Sequence, residues 1–133
     1  MSARSNTPSN LELQVLSVLW ESGPATVREV LANLPDGKER AYTTVLTIMQ
    51  NMEKKGLLCR EPRGNAHVYQ PTESKGQTLR PMMRGLLQNV FGGRASSVMQ
   101  HLLEDSEVSD DELREIRRLI DARRKSRKKE EGK

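Results

Sequence analysis

The segment from Arg40 to Gln70, RAYTTVLTIMQNMEKKGLLCREPRGNAHVYQ, constrains this chain more than any other. Within it a helical period gives way to a glycine stop, then to two short runs of strand residues around a basic, glycine-containing turn. Val45, Ile48, Met49 and Met52 fall at i, i+3, i+4 and i+7, which predicts a helix over about 41–55 with one buried stripe. The opposite side carries Thr43, Thr44, Thr47, Gln50, Asn51 and Lys54. These are hydroxyl and amide groups in place of the Glu/Lys pairs of an ordinary solvated helix, and they suit phosphates and base edges in a major groove. Threonine is a mediocre helix former, so its repetition on one face needs a reason other than propensity. Gly56 stops the helix. Leu57–Glu61 and His67–Gln70 are strand candidates, joined by the four-residue loop Pro62-Arg63-Gly64-Asn65 with Arg63 at its tip. A polar-faced helix beside a basic hairpin is the working end of a winged helix-turn-helix: a surface for duplex DNA rather than a catalytic centre. Arg40 and Tyr42 at the helix start join the expected contacts. Lys54 and Lys55 divide between phosphate contact and the helix dipole.

The upstream sequence completes that fold. Residues 1–8 are expected to be a disordered start. Ser9 with Glu12 and Thr26 with Glu29 are capping boxes opening two helices. Leu13, Leu16, Leu19 and Trp20 mark the inner face of the first, and Val27, Val30, Leu31 and Leu34 that of the second. Ser22-Gly23-Pro24 ends the first helix, and Pro35-Asp36-Gly37 is a turn. Residues 9–72 thus form a winged-helix domain of three helices and a small antiparallel hairpin, in a chain that is mainly α.

From Glu73 the pattern changes. Leu79, Met82, Met83, Leu86, Leu87, Val90 and Phe91 form a stripe too apolar for a lone surface helix, broken by Gly92-Gly93. Ala95, Val98, Met99, Leu102 and Leu103 give a short second helix. Ser109 with Glu112 caps a third, which carries Leu113, Ile116, Leu119 and Ile120. Only 35% of the chain is hydrophobic and 3% aromatic, so one compact core would be thin. Residues 73–121 are accordingly expected to complete their burial against a second copy, as a homodimer. The basic run from Arg123 to Lys129, within 122–133, is expected as a fraying, disordered tail.

Charge and composition narrow the function. The net charge is +4; residues 1–72 hold 8 Lys/Arg against 7 Asp/Glu, and residues 73–133 hold 14 against 11. The mild basic excess favours polyanions. The single cysteine, Cys59, is a strand residue that allows no internal disulfide. His67 and His101 have no ligand set at metal spacing, so neither metal nor cofactor is expected. No apolar run reaches membrane length and no leader precedes a cleavage site, so the expected location is the cytoplasm without membrane insertion. The carboxylates sit in caps or on helix faces and no Gly-rich phosphate loop is present, which argues against an enzyme.

The segments LELQVLSVLWESGPATVREVL (11–31), AYTTVLTIMQNMEKKGLL (41–58), RGNAHVYQP (63–71), VFGG (90–93) and LLEDSEVSDDELREIRRLI (102–120) resemble the BlaI/MecI-type penicillinase repressors, over about residues 9–121. The resemblance implies an N-terminal DNA-binding domain, a helical domain that dimerises, and repression at dyad-symmetric operators, including those of β-lactamase and other antibiotic-resistance genes. It also implies a membrane sensor protease system that inactivates some members by cleavage in the dimerisation domain. Staphylococcal-type members are cut between Asn and Phe; the matching positions here are His101 and Leu102. Those members carry Arg where this chain has Leu46. Copper-responsive relatives carry a C-terminal cysteine cluster that this chain lacks. The alternatives are a copper- or other ligand-responsive repressor of the same fold, and a winged-helix protein–protein adaptor.

Overall fold

The computed structural model describes residues 7–132. Of the start expected to be disordered, residues 1–6 lie outside this range, and Pro8 is buried. Among the described residues there are six helices and one two-stranded hairpin: α1 (Asn10–Ser22), α2 (Val27–Ala32), α3 (Tyr42–Lys54), β1 (Leu58–Arg63), β2 (Ala66–Pro71), α4 (Lys75–Val90), α5 (Ala95–Asp105) and α6 (Asp110–Glu131). No helix is long and apolar enough to cross a membrane. The contacts divide the chain into two units, Met1–Met83 and Arg84–Lys133. That division falls inside α4 rather than after Thr72. The Trp20 indole donates to the Glu73 carbonyl at 3.0 Å and ties the chain just beyond the hairpin back to α1.

The first unit is the winged helix. Both expected capping boxes form: Ser9 and Glu12 exchange bonds of 2.9 and 3.3 Å, and Thr26 and Glu29 bonds of 2.9 and 3.2 Å. α1 buries Val15, Leu16, Val18 and Leu19, while Leu13 and Trp20 flank that face and are only half-buried. Val27 and Val30 of α2, Leu34 after it, and Val45, Met49 and Met52 of α3 meet them, with Leu58 and Tyr69 closing the hairpin side. Each such side chain contributes roughly 1.5–3 kcal/mol on burial. Ile48, expected in the α3 stripe, lies at the edge of this core.

Gly56 ends α3 at φ 83°. The Leu57 amide reaches the Met52 carbonyl at 2.9 Å and the Gly56 amide the Glu53 carbonyl at 3.0 Å, a Schellman stop. The hairpin then differs from expectation. Its loop has two residues, not four, because Arg63 pairs with Ala66 and Pro62 with His67. Gly64 stands at φ 60° as the first central residue, the requirement of a type II′ turn. Arg63 is therefore the last residue of β1 and not the tip. Pro62 is tolerated because ladder bonds alternate, and the pair next to the closing pair needs no amide hydrogen. A further pairing joins β2 to the α1–α2 connection: Ala25 and Tyr69 exchange backbone bonds of 3.1 and 2.8 Å.

α4 opens with a cap of its own, since Ser74 and Gln77 exchange bonds of 2.8 and 3.1 Å. In the second unit, α5 and α6 bury no residue. The Ser109 hydroxyl accepts from the Glu112 amide at 3.1 Å, half of the expected capping box. α6 runs on to Glu131 where a fraying tail was expected. Its acidic first turn (Asp110, Asp111, Glu112) and its Lys128 and Lys129 match the helix dipole, and Arg, Lys, Glu and Ala are good helix formers.

Candidate nucleic-acid interface

The face of α3 turned away from the core is laid down by its period. Thr43, Thr47, Gln50 and Lys54 follow one another at i, i+4, i+7 and i+11, with Thr44 and Asn51 beside them, and all six are exposed. Tyr42, Leu46 and Gln50, four residues apart, turn towards the hairpin. There they line an open cleft of about 450 Å³ with Arg28, Arg60, Asn65 and His67. The polar face, the cleft and the hairpin make one surface about an α3 that is pinned at both ends.

At the N-terminal end the pin is Asp36. Its carboxylate accepts from Arg40 Nη1 and Nη2 at 2.9 and 2.7 Å, from the Lys38 amide at 3.0 Å and from Gln14 Nε2 at 3.2 Å. The Arg40 hydrogen bonds, followed by the Lys38 amide, hold the carboxyl far below its ordinary value, and Arg40 is raised in turn. Arg40, expected as a DNA contact, thus shapes the approach to α3 within the protein. At the C-terminal end the pin is Glu12, whose Oε2 accepts from Lys55 Nζ at 2.9 Å. That ion pair takes up Lys55 and leaves Lys54 exposed.

On the wing, Arg63 is exposed and lies 3.7 Å from Glu29, and Arg60 lies 3.3 Å from Glu53. Hydrogen bonds from the Thr26 backbone and hydroxyl hold Glu29 below its ordinary value, helped by Arg63. The sequence reading missed Arg28 and Arg60. The Arg28 guanidinium lies over the Tyr42 ring, 5.1 Å from its centroid, which fixes the cation at the lip of the cleft while its edge stays open to an anion. Its signal was its position: a cation in the first turn of a helix opposes the dipole and needs another reason to be there. Among the described residues no group of three or more His, Cys, Asp or Glu could hold a metal.

The residues expected at the dimer seam are spread over both units. Met83, Leu86 and Val90 of α4 are 66%, 51% and 67% exposed. Leu102 of α5 and Leu113, Leu119 and Ile120 of α6 are also exposed, whereas Leu79, Met82, Leu87, Phe91, Val98 and Ile116 are half-buried. His101 packs edge-on against Phe91 at 5.4 Å, and its bond to Leu102 lies within α5.

The family described as "Penicillinase repressor" matches residues 8–122. The chain is 26% identical to the "Penicillinase repressor" of Bacillus licheniformis, over 92% of this chain and 94% of that protein. It is 32% identical to the "Transcriptional regulator BlaI" of Mycobacterium tuberculosis, over 84% and 80%. With the "Methicillin resistance regulatory protein MecI" of Staphylococcus aureus it shares 20% over 84% and 91%.

Proposed function

The chain belongs to the penicillinase repressor family, a family of transcriptional repressors and not of enzymes, and we propose that it acts as a homodimer on dyad-symmetric operators. α3 enters the major groove, and Thr43, Thr44, Thr47, Gln50 and Asn51 supply the groups that meet base edges. Tyr42, Lys54 and the wing's Arg63 take the flanking phosphates. The exposed polar face of α3 carries this reading, because no packing need explains it.

The exposed apolar side chains of α4, α5 and α6 support the dimer. A second copy of the same stripes is the partner that matches them. Cleavage at His101–Leu102 by a membrane sensor protease system is the proposed release: it would separate α6 from the rest of the seam. The names of the relatives support a resistance-type target gene.

Selection from a pool of random duplexes, followed by gel-shift titration at fixed salt, tests the reading. The enriched sequence should have dyad symmetry. Thr44→Ala with Thr47→Ala should weaken binding to it by roughly 1–3 kcal/mol with little change in melting temperature. Enrichment of nothing, or unchanged affinity in the double variant, overturns it.

A further inference from the structure

Residues 123–133 hold seven of the 22 Lys/Arg and two of the 18 Asp/Glu, which leaves 15 against 16 in the rest of the chain. The whole net positive charge of this protein thus belongs to one segment. In the structure Arg123, Arg124, Lys125, Arg127, Lys128 and Lys129 are the last turns of α6 and all are exposed. Among the described residues none of the six is ion-paired.

Two bland explanations fall short. The helix dipole accounts for Lys128 and Lys129 in the final turn but not for the four cations before them. A merely solvated helix would interleave carboxylates, as Asp111 with Arg114 and Glu115 with Arg118 do upstream. The apolar stripe of Leu113, Ile116, Leu119 and Ile120 also stops short, and its next positions are Arg123 and Arg127. Beyond Ile120 the helix has no face to offer a protein seam.

We infer that the basic end of α6 is a second, sequence-independent contact to duplex DNA, one that grips the phosphate backbone apart from the base-reading α3. The inference rests on the repressor reading. A duplex presents one negative charge per roughly 1.7 Å of axis. A helix rises about 1.5 Å per residue, so residues 123–129 span the axial length of about six phosphates, about three on each strand. Near α3, Arg40 is paired with Asp36, Lys55 with Glu12 and Arg60 with Glu53, which leaves Lys54, Arg28 and the loosely held Arg63 as the cations there for phosphates. The basic end of α6 then adds the largest single block of counterion release, which raises affinity for any duplex and leaves the choice of sequence to α3.

The test is the full chain carrying Arg123→Gln, Arg124→Gln, Arg127→Gln and Lys128→Gln, changes that keep helix propensity. Fluorescence anisotropy against potassium chloride would follow its binding to the selected duplex and to a random-sequence duplex. Circular dichroism and sedimentation check that fold and assembly are kept. Both duplexes should lose affinity by the same factor, about tenfold or more near 0.1 M salt, and the slope of log K against log salt should become shallower by about 2–4. Replacing the three arginines by lysine should preserve the slope. Unchanged affinity and slope, a loss confined to the selected duplex, or tight capture by phosphatidylglycerol vesicles with random-duplex binding unaltered would each overturn the inference. The repressor reading fails separately, if the parent does not prefer the selected duplex; the random-duplex slope still decides the role of α6.

Discussion

Glu12 is the one buried charged side chain among the described residues. Burial alone raises its carboxyl, but the Lys55 hydrogen bond, the Ser9 amide and the Lys55 charge together outweigh that and hold it below the ordinary 4.5. A carboxyl depressed by folding stabilises the protein above its unfolded value, and that contribution is lost as pH falls through the folded one. Glu12→Gln should therefore cost about 1.5–3 kcal/mol near neutrality, and its gap in melting temperature from the parent should close in scans taken below pH 4.5. An equal gap at acid and neutral pH would mean that the Lys55 pair contributes nothing. The polar face of α3 was legible at this scale because Thr, Gln and Asn are unusual on a solvated helix. The Glu12–Lys55 pair was not: 43 residues separate its members, and Glu12 had already been explained as half of a cap.

Among the elements, the hairpin depends on a single dihedral. Gly64 stands at φ 60° and a Cβ added there meets nothing within 4 Å, so any penalty is torsional and not steric crowding. Gly64→Val should lower stability by about 1–2 kcal/mol, read from the denaturation midpoint, and weaken duplex binding by displacing Arg63. Gly64→Asn should be milder, since Asn is not β-branched and is among the residues that primed turns accept. A valine variant as stable as the parent would contradict the II′ turn. The helices were readable because period and caps are local signals, and the missed Ser74 cap was present as Ser with Gln three residues on. The turn length was ambiguous because Pro62 reads as a breaker, although every second amide of a two-stranded ribbon is free. The length of α6 was hidden for a different reason: beyond Ile120 its turns carry no large apolar residue, so there is no hydrophobic period left to count.

For the molecule as a whole, the exposed stripe of α4 bears on whether the proposed repressor is a dimer. Leu86 is 51% exposed in the single chain, so Leu86→Asp should leave helicity intact. It should nonetheless separate the subunits in sedimentation, because a second copy would have to desolvate the carboxylate. Tight binding to a dyad site should vanish with the dimer, since joining two reading heads makes the second contact intramolecular. A parent that sediments at 15.1 kDa and still binds the dyad tightly would refute the dimer.

The pairing of Ala25 with Tyr69 reaches further than its two hydrogen bonds. It welds the stretch before α2 onto the back of the hairpin, so the wing is a stiff rib and not a flap. If the hairpin meets a DNA groove as proposed, the load is delivered to the start of α2 and through the shared core to α3. On the proposed reading the head then seats on a site or slides off it as one piece, and a sequence that suits the helix but jams the wing should be rejected altogether.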